Sequence, residues 1–418
     1  MDYISTGDSI EMDCNINAIL PTVYVEILRR QSAKTISDEE LHRIVFDFLK
    51  QQKSHQPLVK CDTESSISEL VEEVTISQPI LLHDAEFEDV KFFTYTVNNY
   101  NAEIETIETA DGDNDDIPAS QHWILPNREF QGQWEYLHYE DDLKENLLRF
   151  SKTIMLFALK NVDINAISCN KLVLLHGPPG TGKTSLCKSL AQKISIHMND
   201  RFRYTHLFEI NSHSLFSKWF SESGKLVLKM FTTIKDVAED PLSLVVILID
   251  EVESIAYARD SVSSHEPSDS IRVVNSLLTQ LDQLRRQTNV LVLTTSNLSS
   301  SIDIAFVDRA DLKQYVGYPT PVAIYHIFKT GIDELIKVKI VTNPNENDDE
   351  WNSEGAIHLL DISKKCEGLS GRSLRKLPLL AHAWFVHKNS VDLHTFLNAL
   401  DDAVDKHLAD TLAIEKKT

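Results

Sequence analysis

Between Lys171 and Leu190 the chain runs KLVLLHGPPGTGKTSLCKSL, and this stretch restricts its possible folds more than any other. The apolar run from Leu172 to Leu175 has the character of a strand. The glycines after it interrupt regular structure, and the residues beyond Lys183 carry apolar side chains at helical spacing. Gly177, Gly180 and Gly182 let the backbone close around a phosphate chain so that successive N–H groups point at its oxygens. The helix begins where the phosphates would sit, and its unpaired N–H groups and positive dipole end add to the attraction. The expected site comprises Gly177, Pro178, Pro179, Gly180, Thr181, Gly182, Lys183, Thr184 and Ser185. Lys183 is expected to reach the β- and γ-phosphates and the Thr184 hydroxyl to ligate magnesium. A turn with a purely structural role does not need the whole GxxxxGKT string in this context. The string occurs once, which gives the chain one nucleotide site.

A second apolar run, Leu242 to Ile249, reads LSLVVILI, as a central parallel strand should, and ends in Asp250-Glu251. Carboxylates at the C-terminal end of such a strand lie beside the phosphate loop, because ligands of these sheets gather at that edge. Asp250 is expected to hold magnesium through its water shell and Glu251 to polarise the attacking water. A third run, Val290 to Leu293, leads through Thr294-Thr295-Ser296 to Asn297. Asn297 is expected beside Asp250, orienting the water or touching the γ-phosphate, with a simple turn role as the alternative.

Thr205 to Ile210 is a short strand leading into SHSLFSKWFSESGK. There Trp219 and Phe220 stand among serines, lysines and a glycine. Aromatic rings are usually core, but these polar neighbours favour an exposed gripping loop.

The remaining chain divides by pattern. Residues 1–100 read as a small mixed domain, with Ser37 and Glu40 as a capping box ahead of helically spaced Leu41, Ile44, Val45, Phe48 and Leu49. Pro79 to Leu82 and Val90 to Val97 read as strands. Residues 101–122, with the acidic run Ala110 to Asp116, read as a linker. Residues 123–330 read as a large α/β domain, opening on a lead-in with Trp134, Leu137 and Tyr139 and a helix from about Asp141 to Leu159. Residues 331–418 read as a helical lid, with Asn343 to Glu354 as a loop and a helix opened by Gly368-Leu369-Ser370-Gly371-Arg372.

With 63 acidic against 41 basic residues the formal charge is −22, which repels nucleic-acid backbones. The five cysteines are scattered without CxxC spacing, as reduced thiols of a cytosolic or nuclear protein would be. There is no signal-peptide pattern and no apolar run long enough to span a membrane, so a soluble intracellular protein is expected.

The phosphate loop, the Asp250-Glu251 strand end, Asn297 and the helical C-terminal segment together resemble the AAA+ ATPases, over about Trp123 to Lys406. The strings SKWFSESGKL, LIDEVESIA, FVDRADLKQY and GLSGRSLRKLP are similar to those of one branch, the pachytene checkpoint protein 2 / thyroid receptor-interacting protein 13 family. The resemblance implies a P-loop NTPase fold, a parallel sheet flanked by helices, with a C-terminal helical lid and a small N-terminal α+β domain. It implies a homohexamer that uses ATP and Mg2+ to convert closed HORMA-domain proteins to the open form, pulling on their N-terminal segment. The implied clients are the spindle-checkpoint HORMA protein, delivered by a HORMA-like adaptor, and the HORMA proteins of meiotic chromosome axes. The implied location is nucleus and cytoplasm, including meiotic chromosomes and unattached kinetochores, without direct nucleic-acid or membrane partners.

By the same resemblance Lys218, Trp219 and Phe220 match the pore loop that grips substrate, and Ser261 to Ser270 match a second pore loop. Residues 1 to about 100 correspond to the domain that receives adaptor and client. Arg309 falls at the place of the arginine finger that reaches a neighbouring subunit's γ-phosphate, and Arg372 at that of the lid's sensor arginine. A guanidinium suits both tasks because it stays charged and offers several donors. Here Asp308-Arg309-Ala310-Asp311 replaces the two-arginine RPGRFD-like string of many relatives. A nucleotide-dependent scaffold for HORMA proteins, or an unfoldase with another client, are the alternatives. A scaffold has no use for Glu251, Asn297 and Arg309, and a zinc protease would need HExxH where His265-Glu266 is followed by Pro-Ser-Asp.

Overall fold

In the computed structural model of the chain, residues 23–31, 36–52, 57–61, 67–82, 85–107, 117–140, 142–211, 223–253, 267–297, 304–342 and 353–415 are described. They form two compact units, divided between Thr96 and Val97.

The first unit is an α+β domain. Strands β1 (Val23–Arg29), β2 (Leu58–Lys60), β3 (Val71–Ile76) and β4 (Val90–Tyr95) form a sheet in the order β2-β3-β1-β4, with β1 antiparallel to β3 and parallel to β4. Helix α1 (Asp38–Gln51) starts where the Ser37 hydroxyl accepts the Glu40 N–H at 3.3 Å, and Asp38, Glu39 and Glu40 in its first turn suit the positive end of its dipole. Its buried Leu41, Val45 and Leu49 share a core with Val25, Ile27 and Val74 of the sheet. Pro79–Leu82, expected as a strand, is a helical turn in which only Leu82 is buried. Pro79 suits the first position of a helix, where no N–H is needed, and so short an apolar run does not by itself distinguish strand from helix.

The second unit is built on a seven-stranded sheet. Strands β5 (Glu103–Ile107), β6 (Ile117–Leu125), β7 (Leu172–His176), β8 (Tyr204–Asn211), β9 (Ser243–Asp250), β10 (Val290–Ser296) and β11 (Leu312–Tyr315) lie in the order β11-β7-β10-β9-β8-β6-β5. The five from β11 to β8 are parallel, and β6 and β5 extend the sheet antiparallel. Segment 101–122, expected as a linker, therefore supplies an edge strand and most of its neighbour. Charge at a sheet edge is tolerated and even useful, so the glutamates of β5 carry a linker's composition without a linker's structure. The acidic run Ala110 to Asp116 lies outside the described residues.

Helices cover both faces of this sheet. On one, α2 (Leu143–Leu159) and α3 (Lys183–His197) bury Leu147, Met155, Leu186, Leu190 and Ile194 against Val173, Leu175, Val246, Leu248 and Leu293. On the other, α4 (Ser223–Ala238) and α5 (Pro267–Leu284) bury Val227, Phe231, Ile234, Leu277 and Leu281 against Leu172, Leu174, Ile247, Ile249 and Val292. Alternate residues of each central strand enter opposite cores, which is why Leu244–Ile249 is apolar without a break and wholly buried.

Helices α6 (Pro321–Lys337), α7 (Ser353–Lys365), α8 (Leu377–Phe385) and α9 (Leu393–Glu415) form the lid around Phe328, Ile332, Leu359, Leu374, Phe396 and Leu400. Thr320 caps α6 by accepting the Ala323 N–H, with Pro321 at its start. The boundary expected after residue 330 falls instead before α6, because Ile324, Phe328 and Ile332 are one buried face of a single helix inside the lid core. Of the expected loop from Asn343 to Glu354, residues 343–352 lie outside the described residues.

Candidate nucleotide site

The site forms where β7, β9 and β10 end side by side. Gly177 leaves β7 with φ +145°, and a Cβ there would lie 2.2 Å from the Val316 carbonyl oxygen. No side chain fits, and the close approach of two backbones is what turns the chain into the loop. The Lys183 ammonium donates to the carbonyls of Gly177 (2.9 Å) and Pro178 (2.7 Å), folding back over the loop, and burial lowers its pKa. Thr181 donates to the Pro178 carbonyl at 3.1 Å, and the hydroxyl of half-buried Tyr139 donates to the Thr181 carbonyl, also at 3.1 Å. Gly182 stands at the N-cap of α3 with φ +94°, so a helix N-terminus faces the loop's interior. Ser185 lies in the first turn of α3.

The Thr184 hydroxyl donates to Asp250 Oδ1 at 2.8 Å, and Thr295 of β10 donates to the same oxygen. Two hard oxygen ligands thus meet at the mouth of the loop, which fits a magnesium ion and not a softer metal. Glu251 has left the strand with φ +57°, and its N–H donates to Thr295 Oγ1 at 3.2 Å. Asn297 Nδ2 donates to Glu251 Oε1 at 3.4 Å, while the Asn297 N–H donates to Oε1 of Glu253 at 3.0 Å. Asp250, Glu251 and Asn297 are therefore together beside Lys183 and Thr184.

Thr295 and Glu253 are part of this arrangement and were not singled out in the sequence. The hydroxyl run Thr294-Thr295-Ser296 at the end of an apolar strand was the available sign for Thr295. For Glu253 it was a second carboxylate two positions after Glu251. Glu253 is 7% exposed, and its Oε2 has no hydrogen-bond partner among the described residues.

The lid reaches the loop through residues 370–372. The Arg372 N–H donates to the Gly180 carbonyl at 3.1 Å, and a Cβ on Gly180 would come within 2.9 Å of Ser370 Oγ. The Arg372 side chain is exposed beside the loop. The lead-in is a second bridge, since Arg375 donates to the Tyr136 carbonyl at 3.0 Å and His138 Nε2 lies 3.3 Å from Thr330 Oγ1. Burial, with His326, Lys144 and Arg375 nearby, lowers the His138 pKa to about 4, so its imidazole is neutral near pH 7.

Arg309 is elsewhere. It closes the helical turn Ile304–Arg309 just before β11, where Asn170 donates to its carbonyl at 2.8 Å and the Asp311 N–H donates to the Leu172 carbonyl at 2.9 Å. That is the N-terminal end of β7, and the phosphate loop leaves the other end. Five strand residues separate the two by roughly 16 Å, beyond the reach of one side chain. The Arg309 guanidinium pairs with Asp282 of α5, Nε to Oδ1 and Nη2 to Oδ2, both at 2.9 Å. Lys218, Trp219 and Phe220 lie outside the described residues, as do residues 261–266 of the second expected loop; the helices that follow them are α4 and α5. No helix among the described residues is long and apolar enough to cross a membrane.

The family described as ATPase family associated with various cellular activities (AAA) matches residues 173–318, and the TRIP13-like, AAA+ ATPase lid C-terminal domain matches residues 320–408. The pachytene checkpoint protein 2 homologs of Rattus norvegicus and Homo sapiens are each 46% identical to this chain, over 92% of it and 93% of their own length. The solved structure of C. elegans PCH-2 superposes with a TM-score of 0.75 at 36% identity, covering 93% of this chain and 99% of that one. A chain from the E. coli MS115-1 HORMA:CdnC:Trip13 complex shares the fold, with a TM-score of 0.52 at 19% identity over 67% of this chain and 94% of its own.

Proposed function

The chain belongs to the pachytene checkpoint protein 2 family of AAA ATPases, and from that premise we propose that it works as a homohexameric ring that uses ATP hydrolysis to open closed HORMA-domain proteins. The observation that carries this reading is the geometry around Asp250 and Glu251. A magnesium-holding pair, Thr184 and Asp250, stands beside a carboxylate, Glu251, that shares its hydrogen bond with Asn297. A site that only bound nucleotide would not need the second pair.

The ammonium of Lys183 exchanges the carbonyls of Gly177 and Pro178 for β- and γ-phosphate oxygens. Thr184 and Asp250 would hold Mg2+, which would supply positive charge to offset that of the phosphate oxygens. Glu251 accepts the proton of the water attacking the γ-phosphate, and the Asn297 amide holds that carboxylate and the water in line. Arg309 cannot reach the phosphates of its own chain and acts on those bound by the next subunit, where it stabilises the charge of transfer. Arg372, standing on the lid at Gly180, senses the phosphates bound by its own chain.

The change at the loop moves the lid, and Lys218, Trp219 and Phe220, with the second loop at 261–270, draw the client's N-terminal segment through the ring. Residues 1 to about 100 receive client and adaptor. A HORMA client is also supported by the HORMA:CdnC:Trip13 complex, in which a chain of this fold stands with a HORMA protein. We place the protein in nucleus and cytoplasm, at meiotic chromosomes and unattached kinetochores, in the spindle and meiotic recombination checkpoints; imaging the tagged protein through mitosis and meiosis tests the location.

The function is tested by measuring ATP turnover alone and with a closed HORMA protein plus a HORMA-like adaptor, while ion-exchange elution follows the closed-to-open conversion. Conversion that requires ATP supports the reading. Turnover with no conversion removes the HORMA client and leaves the ATPase.

A further inference from the structure

The pair formed by Arg309 and Asp282 lies far from the chain's own nucleotide site, and no part of the reading above uses Asp282. We propose that Asp282 is a positioning residue for hydrolysis in the neighbouring subunit: it holds Arg309 in the orientation in which it meets that subunit's γ-phosphate. The proposal rests on the trans role given to Arg309 above.

Three observations carry it. First, the contact is side-on and bidentate, through Nε and Nη2 at 2.9 Å each. It occupies two of the guanidinium's five N–H groups and fixes the plane of the rest. An unheld arginine loses rotamer freedom on ordering. A carboxylate that orders it beforehand removes much of that cost from the transition state.

Second, the pair is solvent-accessible, with side-chain exposures of 30% for Arg309 and 54% for Asp282. An accessible pair contributes little to folding. Its cost to the protein is correspondingly small, and a substitution there is readable in catalysis without loss of the fold. Asp282 is also held below the usual carboxylate range, first by its hydrogen bond from Arg309, so it remains charged throughout the neutral range.

Third, Asp282 sits on α5, the helix that begins in the second expected substrate loop. Two residues before Asp282 and one residue after it, Lys235 of α4 donates to Gln280 (2.5 Å) and to Gln283. Helix α4 follows the first expected substrate loop. The two helices that leave the substrate loops are thus tied to each other at the point from which Arg309 is held. A shift of either loop helix moves the support of the guanidinium that acts next door.

The test is steady-state ATP hydrolysis by full-length assemblies of D282A, D282E, R309A and the double variant D282A/R309A, at saturating and limiting ATP. D282A is expected to lower kcat three- to tenfold with KM for ATP changed less than twofold, and D282E to recover at least half of the loss. In the R309A background, D282A should have no further effect, since there is no guanidinium left to orient. The proposal is overturned if D282A leaves kcat unchanged or raises it, or if it lowers kcat equally with and without Arg309. Wild-type turnover by R309A alone would instead remove the trans role of Arg309, so failure of that premise is read separately. Equal size-exclusion profiles for the four proteins establish that assembly is not what changed.

Discussion

Replacing Thr295 by valine removes one hydroxyl and keeps the side-chain shape at a position 2% exposed. Two hydrogen bonds go with it, the one it donates to Asp250 and the one it accepts from the Glu251 N–H at 3.2 Å. A hydrogen bond to a charged group is worth about 1.5–3 kcal/mol net and a neutral one about 0.5–1.5 kcal/mol. The second bond has a further task, because Glu251 stands in the left-handed region at φ +57°, a conformation costing about 1–3 kcal/mol that persists only where the surroundings hold it. Without Thr295 the Asp250 carboxylate keeps Thr184 but loses its other fixed donor from β10, and Glu251 is free to relax away from the water it must polarise. If only the charged bond bears on the transition state, T295V lowers kcat about 10- to 100-fold. A fluorescent ATP analogue should bind within about threefold of wild type, since Lys183 and the loop glycines are untouched. The assay is turnover at saturating ATP across a magnesium titration, beside the binding titration. Wild-type kcat at every magnesium concentration would refute the claim that Thr295 places both carboxylates; a kcat loss at limiting magnesium that excess magnesium fully recovers would confine its role to Asp250.

E251Q should bind ATP with near-native affinity and lose at least ~100-fold in turnover, because the amide cannot accept the proton; turnover at the native rate would show that another group is the base. G177A forces a methyl to within 2.2 Å of the Val316 carbonyl at a φ of +145°, and should cost at least ~2 kcal/mol of stability in chemical denaturation, whereas an undiminished midpoint would mean that β7 and β11 separate easily. For His138 the folded pKa of about 4 lies below the ordinary 6.5. The unfolded chain therefore binds a proton that the folded chain refuses, so the contribution of this histidine is fully present above pH 6.5 and is lost as pH falls from 6.5 to about 4. H138Q should flatten the melting temperature against pH in that window, and a slope equal to wild type would show that other groups, such as His206, also lowered to about 4, carry the dependence.

The engine of this protein was legible because its chemistry demands particular residues at particular strand ends. A β9 that is buried on both faces must be apolar throughout, so Asp250 and Glu251 stand out at the place where the apolar run stops. The glycines of the phosphate loop are equally constrained, since at Gly177 any side chain would collide with backbone. What the sequence concealed was of two kinds. Residues that act through another side chain leave no spacing signal: Thr295 and Glu253 look like ordinary members of a strand end, and Asp282 like one of many surface carboxylates on a helix. Boundaries were also hidden wherever composition and structure diverge. The glutamates of β5 made an edge strand resemble a linker, and the boundary expected after residue 330 cut through a single helix, Pro321–Lys337, whose buried face belongs to the lid from its first turn.

Among the described residues, three hydrogen-bonded contacts tie the lid to the rest of its unit near the nucleotide site. Arg372 meets the backbone of Gly180 in the phosphate loop, Thr330 meets His138, and Arg375 meets the Tyr136 carbonyl. Tyr136 and His138 lie three residues and one residue before Tyr139, whose hydroxyl donates to the Thr181 carbonyl. A nucleotide entering the loop must draw Lys183 away from the Gly177 and Pro178 carbonyls and reorder the peptide units between Pro178 and Thr181. Those are the units that Arg372 and Tyr139 touch. No long relay is needed for the lid to respond, because its attachment points are the phosphate loop and the segment stapled to it. The lid core around Phe328 and Phe396 is separate from the two cores of the sheet, so the lid can turn as a body on these few polar contacts without disturbing close-packed apolar side chains. On the function proposed above, that combination of a separate lid core and a polar attachment at the phosphate loop would let a change in one bond at the γ-phosphate become a displacement of whole helices.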